Sequence, residues 1–91
     1  MKYEWDEDKR QSNIKTHGLD FADVVDFDWT SALILVDDRQ DYGEIRQVAF
    51  GRIRDRLCVL TFTWRNDVVR IISFRKANSR ERKRYDSRIE D

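Results

Sequence analysis

The side chains that could carry chemistry are four candidate acids or bases and a set of arginines. The acid–base candidates, in no order of preference, are Lys15, His17, Glu44 and Glu81. Near neutral pH a glutamate needs a raised pKa and a lysine a lowered one, whereas histidine titrates there already. Arg65 and Arg75 are candidates for stabilising negative charge, because a guanidinium stays charged and pairs with phosphate oxygens through two hydrogen bonds. These residue types permit metal-free transesterification of a phosphodiester.

A second set of side chains is suited to binding a nucleic acid. It combines cations of the predicted strands and final helix with one aromatic ring: Arg46, Arg70, Arg80, Arg82, Lys83, Arg84 and Tyr85. Such mixtures bind single-stranded RNA, because bases stack on rings while cations attract phosphates. The alternatives are a solvated basic helix face and, for Tyr85 and Trp64, an ordinary place in the core.

Several of these candidates also have a purely structural explanation. His17 stands at the predicted end of a helix, where a partial positive charge suits the helix dipole. Glu81 can serve only to cap the final helix, and Glu44 only to pair with Arg46. A nearby acidic stretch contains Asp23, Asp26 and Asp28. Because it has neither a histidine nor the spacing of a calcium loop, it predicts a solvated face and no metal site.

Residues 68–85 are predicted to form a strand followed by a helix. The first part, VVRIISF, is rich in β-branched residues and long enough for a buried strand. Asn78 predicts the start of the helix, because Glu81 lies three residues later and completes a capping box. The residues that share one face of this helix are Arg82, Tyr85 and Ile89.

The N-terminal third predicts one strand and two helices. Lys2–Trp5 is predicted to be a short strand. Asp6 caps a helix that ends at Gly18, since glycine is favoured just past a helix end. A second, short helix follows Asp20. Its apolar stripe is expected to contain Phe21, Val24 and Val25.

Three further strands are predicted over Ala32–Val36, Ile45–Phe50 and Leu57–Trp64, and residues 51–56 are expected to connect the last two. In the third strand, apolar side chains at even positions alternate with Val59, Thr61 and Thr63, so the odd positions should face a more polar side. The predicted fold is α+β: an antiparallel sheet of four to five strands, with two N-terminal helices on one face and a C-terminal helix at the rim of the other.

Composition points to one globular domain over residues 1–91 with a real hydrophobic core. A single cysteine, Cys58, excludes an internal disulfide and fits a reducing cytoplasm, and no apolar run is long enough to span a membrane. Residues 1–45 hold 5 basic and 12 acidic side chains, and residues 46–91 hold 13 and 6. The two halves either neutralise each other in the fold or leave a basic face for a nucleic acid or an acidic partner.

Three motifs, in order along the chain, resemble the BrnT toxin family. The residues that match its opening pattern W-D-x-x-K-x-x-x-N-x-x-K-H-G are Trp5, Asp6, Lys9, Asn13, His17 and Gly18. Gly43, Glu44 and Arg46 match its G-E-x-R element. The residues that match its closing R-I-I-S-A-R-x-A-x-x-x-E-R-x-x-Y are Arg70, Ile71, Ile72, Ser73, Arg75, Ala77, Glu81, Arg82 and Tyr85. Thr16 replaces the lysine before the histidine, and Phe74 replaces the alanine.

The resemblance implies a RelE-like fold and an endoribonuclease toxin of a type II toxin–antitoxin pair, which inhibits translation and growth. It implies RNA as substrate, a BrnA-type antitoxin as partner, no cofactor, and contact with operator DNA only through the antitoxin complex. The alternative is a catalytically degenerate module that binds RNA or its partner and acts mainly in autorepression. The departures at Thr16 and Phe74 keep that alternative open.

Overall fold

A computed structural model describes residues 1–90, with only the backbone of residues 89 and 90, so the predicted place of the Ile89 side chain lies outside the described part. The strands are β1 (Lys2–Trp5), β2 (Leu33–Asp37), β3 (Arg46–Ile53), β4 (Arg56–Arg65) and β5 (Val68–Lys76). The α-helices are α1 (Glu7–His17) and α2 (Ser79–Glu90), and Phe21–Asp26 forms a 3-10 helix. The predicted α+β class is confirmed.

The five strands form one sheet in the order β1-β5-β4-β3-β2. β1 runs parallel to β5, with Lys2 beside Val68, and the other neighbours are antiparallel. The expectation of a purely antiparallel sheet is therefore wrong at this edge. A hairpin forces its two strands to be antiparallel, but β1 and β5 are far apart in the chain and are free to pair in parallel.

The hairpin between β3 and β4 is tighter than expected. β3 continues to Ile53 and β4 begins at Arg56, so the predicted connection over residues 51–56 is wrong. Gly51 lies inside β3, where a Cβ atom would stand 2.5 Å from the ring of Phe27. The glycine therefore lets an aromatic ring lie directly on the sheet.

The main core lies between one face of the sheet and the 3-10 helix. Buried side chains of β4 at Cys58, Leu60 and Phe62 contribute to it. The 3-10 helix and the residue after it supply Phe21, Val24 and Phe27. Val25 is 70% exposed, so its predicted place in the apolar stripe is wrong. A 3-10 helix has three residues per turn, which aligns positions 21, 24 and 27 and turns position 25 outward.

α1 lies against an edge of the sheet rather than on its face. Its one buried side chain among the described residues is Asn13, which donates to the Phe74 carbonyl at 2.7 Å and accepts from the Phe74 amide at 3.1 Å. β1 pairs with β5 only as far as Ile71, so the Asn13 amide continues the hydrogen bonding of that edge. The expectation of two helices on one face is thus not met.

α2 packs on the opposite face, called the outer face. The predicted capping box is present. The backbone amide of Glu81 donates to the side-chain oxygen of Asn78 at 2.8 Å, and the backbone amide of Asn78 donates to the Glu81 carboxylate at 2.9 Å. Tyr85 is buried against Leu57 and its neighbours, and its hydroxyl donates to the Ser31 carbonyl at 3.0 Å. α2 therefore crosses one end of the outer face towards the start of β2.

Candidate functional site

Strand register places the four candidate arginines of the sheet on the outer face. Arg75 pairs with Val59 and Arg70 with Thr63, so both side chains lie on the side of the odd-numbered residues of β4. Arg65 belongs to the same series. Arg46 pairs with Asp37 and shares that face. The predicted more polar side of β4 is therefore the face that carries these cations.

A groove of about 380 Å³ opens on the outer face beside α2. Its apolar floor comes from Leu35, Val48, Phe50 and Val59. The hydroxyl-bearing Thr61 and Ser73, paired across β4 and β5, also line it. The ionisable residues around it are His17, Asp37, Asp38, Arg39, Arg75 and Glu81. Only His17, Arg75 and Glu81 of these were predicted site residues.

Arg75 and Glu81 form one wall of the groove. The two terminal guanidinium nitrogens of Arg75 each donate to a Glu81 carboxylate oxygen at 2.8 Å. The hydrogen bonds from Arg75 lower the pKa of Glu81, so this carboxylate stays ionised near neutral pH and is a poor proton acceptor. Glu81 also accepts from the Asn78 amide, which fixes its position at the start of α2. Glu81 therefore orients Arg75.

Asp37 and Arg39 form the facing pair. Arg39 donates to the two carboxylate oxygens of Asp37 at 2.8 Å each, and the Tyr42 hydroxyl donates to the same carboxylate at 3.2 Å. The Asp37 side chain is only 2% exposed, and the Arg39 hydrogen bonds lower its pKa to about 2. Hydrogen bonds to Glu81 raise the pKa of Arg75, and the positive charge of Arg39 lowers it. The two guanidinium groups therefore repel each other across the groove.

Some donors in this groove remain available to a ligand. Among the described residues, Nε of Arg75 and Nη1 of Arg39 have no hydrogen-bond partner. A phosphate has oxygens that can accept from both. His17, the last residue of α1, is exposed and lines the same groove, so an imidazole and two guanidinium groups are brought together.

Other predicted site residues lie elsewhere. Lys15 is exposed on α1 and outside the groove. Glu44 lies 3.7 Å from Arg46 and 3.4 Å from Arg65, which forms a separate charged cluster at the far end of β3 and β4. Arg46 also stacks on the Tyr42 ring at 4.0 Å. Arg70 lies 3.3 Å from Glu4 on β1.

The predicted RNA-binding residues of α2 fall into three groups. Arg80, Lys83 and Arg84, called the α2 cations, are exposed. Arg82 lines a larger cavity of about 570 Å³ near Cys58 and Phe74, which contains none of the acid–base candidates. Tyr85 is 1% exposed, with the Arg88 guanidinium 4.8 Å from its ring centroid, so its predicted role as a stacking surface is wrong. It belongs to the core.

The sequence interpretation missed Asp37, Arg39 and Tyr42, which lie after the predicted strand Ala32–Val36 and were not among the candidate site residues. Their signal was the alternation of β2: Leu33 and Leu35 face one way, and Asp37 is the next residue on that face. An aspartate that follows two inward-facing leucines is a candidate for a buried charge that needs a partner. Arg39, two residues later, is that partner.

The fold and the site define a small α+β domain whose open sheet face carries a groove lined by paired arginines and carboxylates. A family model described as "Ribonuclease toxin, BrnT, of type II toxin-antitoxin system" matches residues 5–81. The chain belongs to this family of ribonuclease toxins, and its partner is accordingly an antitoxin. A search of curated proteins found no match. In the part of the chain that the structure describes, neither the length nor the hydropathy of any helix meets the requirement for a membrane span.

Proposed function

We propose that the protein is a metal-independent endoribonuclease, acting in the cytoplasm, whose reaction takes place in the groove between Arg39 and Arg75. Cleavage of RNA inhibits translation and growth, and a BrnA-type antitoxin neutralises the toxin and makes any contact with operator DNA. The observation that carries this proposal is the pair of guanidinium groups, each held by a carboxylate, beside His17.

In the proposed reaction the ribose 2′-oxygen bonds to phosphorus and the bond to the 5′-oxygen breaks. The products are a 2′,3′-cyclic phosphate and a 5′-hydroxyl. The phosphorane between them carries extra negative charge, which Arg39 and Arg75 stabilise through their available N–H groups. The 2′-hydroxyl must lose a proton and the leaving 5′-oxygen must gain one. His17 carries out one of these two proton transfers, and water entering the open groove carries out the other.

Metal independence is supported by the state of Asp37 and Glu81, two of the three carboxylates that line the groove, the third being Asp38, which has no ion pair among the described residues. Both oxygens of Asp37 and both oxygens of Glu81 accept hydrogen bonds from an arginine. A divalent cation would have to displace these guanidinium groups, which a carboxylate binds through two charge-assisted hydrogen bonds.

The lining of the groove supports a single strand of RNA as the substrate. Leu35, Val48 and Phe50 offer apolar contact to a base, while Thr61 and Ser73 offer hydroxyls within the same groove. The α2 cations add positive charge on the adjoining helix, where phosphates further along the strand would be attracted.

Arg75→Ala tests whether the reaction takes place in this groove. We expect kcat/KM for a single-stranded RNA to fall by about 100-fold or more, because a donor to the phosphorane is lost. The matched control is Arg54→Ala, which removes an exposed arginine outside the groove and should leave cleavage unchanged. Cleavage is followed with and without EDTA, and the new ends are identified by mass spectrometry.

Equal cleavage by Arg75→Ala and Arg54→Ala, with both variants folded, would move the reaction away from this groove. Folded wild-type protein that neither cleaves RNA nor arrests growth when induced alone would favour the catalytically degenerate binding module. Activity that EDTA abolishes would contradict metal independence.

A further inference from the structure

β2 is an edge strand without the usual protection. It pairs with β3 on one side, and no other described strand lies on its second side. Its sequence, LILVD, contains no lysine and no proline, and its one charged residue stands at the end. Edge strands that remain free are normally blocked by a charge, a proline or a bulge, because their backbone groups can otherwise pair with another chain.

Exposed apolar side chains lie along this edge. They are Ile34 and Val36 of β2, with Ile45 and Trp64 beside them, and are called the β2 patch. Val36 is 63% and Ile45 is 74% exposed. Strand pairing makes the residues of the patch neighbours. Val36 pairs with Gln47 of β3, and Gln47 pairs with Phe62 of β4, whose ring the Trp64 ring contacts edge-on. An unpaired edge that adjoins an apolar patch is a surface for adding a strand.

The charges at the two ends of β2 argue against a second copy of this chain as the occupant. Asp38 and Asp41 follow the strand and Asp28 precedes it, and none of the three has an ion pair among the described residues. Antiparallel self-pairing would bring Asp38 of one copy to the Asp28 end of the other. Like charges that face each other across strands are destabilising. Two cations lie near the ends of β2, and both are engaged. Arg39, beside Asp38, is paired with Asp37. Arg88, at the Asp28 end, donates to the Ser31 carbonyl and lies over the Tyr85 ring.

We infer that β2 is the docking strand for the antitoxin, which adds an extended segment to this edge of the sheet. The segment has apolar side chains that cover the β2 patch and basic side chains near its ends, facing Asp28 and Asp38. Because Arg39 lies two residues past the end of β2, the same segment reaches the wall of the groove. The inference rests on the membership of the toxin family and not on the proposed RNA chemistry.

Ile34→Lys tests the docking strand, with the purified cognate antitoxin as the probe. A lysine at this exposed position places a charge in the apolar contact, so we expect Kd measured by calorimetry to rise about tenfold or more. Ile45→Lys is the second variant on the patch. Val25→Lys, at a 70% exposed position on the 3-10 helix, is the matched control and should bind like the wild type. Hydrogen exchange should show new protection of residues 33–37 in the complex.

Unchanged affinity in both patch variants, or no added protection of β2, would overturn the inference. A wild-type toxin that is itself a dimer, and that Ile34→Lys converts to a monomer, would overturn it in favour of self-pairing. RNA cleavage by the free variants is measured in parallel. The patch variants can lose antitoxin affinity as expected while neither they nor the wild type cleave RNA. That result would support the docking strand and refute the proposed reaction.

Discussion

Asp37→Asn is the substitution that most directly tests the reasoning about the groove. The Asp37 carboxylate is buried and accepts two hydrogen bonds from the Arg39 guanidinium, one from the Arg39 backbone amide and one from the Tyr42 hydroxyl. An asparagine of the same shape removes the negative charge and presents N–H groups to a guanidinium that can only donate. The expected result is a less stable protein with a misplaced Arg39.

The magnitude follows from the lowered pKa of Asp37. A fall from the ordinary 3.8 to about 2 corresponds to at most about 2.5 kcal/mol of folding free energy. The Arg39 side chain is 75% exposed, so solvent screens part of the attraction. We therefore expect Asp37→Asn to lower the free energy of unfolding by about 1 to 2 kcal/mol at pH 7.

The pH dependence has a definite sign. Because the pKa of Asp37 is lower in the folded than in the unfolded state, the stabilisation is complete above about pH 4 and is lost towards pH 2. Urea unfolding from pH 7 down to pH 3 should show the difference between wild type and Asp37→Asn becoming smaller. Asp38→Asn, at the exposed neighbour, is the control and should change stability by less than about 0.5 kcal/mol. A difference that stays constant with pH, or no difference at pH 7, would refute the reasoning.

Two further expectations concern the sheet edge and α2. Asn13→Ala leaves the Phe74 amide and carbonyl without their side-chain partner, so urea unfolding should show a loss of about 2 to 4 kcal/mol, and wild-type stability would contradict the edge-capping role. Replacing the α2 cations by glutamine should weaken RNA binding. The slope of the logarithm of the binding constant against the logarithm of salt concentration should become less steep by about two, and turnover at saturating RNA should be retained. Loss of that turnover would place catalysis on α2.

Local structure was predictable where neighbouring residues alone decide it. Asp6 caps α1, and Gly18 closes it in the left-handed conformation that glycine tolerates. The capping box of Asn78 and Glu81 is also local, because both partners lie within one helical turn. The turn at Asn66 and Asp67 has both residues at positive φ, as a tight hairpin requires.

Long-range pairings could not be predicted from local patterns. The parallel orientation of β1 depends on where the whole chain returns, and no short-range signal records it. Phe74, which departs from the family pattern, is a buried core residue on the face opposite the groove, a fact that only the register of β5 decides. Asn13 was matched to a motif, but its hydrogen bonds to a residue 61 positions away appear only in the fold.

By itself the sequence determined the fold class, the family, the starts of the helices and the end of α1, because these depend on periodicity, caps and motifs within a few residues. It also supplied His17, Arg75 and Glu81 as candidates. Only the tertiary structure decided that these three meet Asp37 and Arg39 in one groove while Lys15 and Glu44 stay apart. The physical reason is that strand register and the path of α2 bring together residues from distant parts of the chain, and spacing along the sequence carries no record of that proximity.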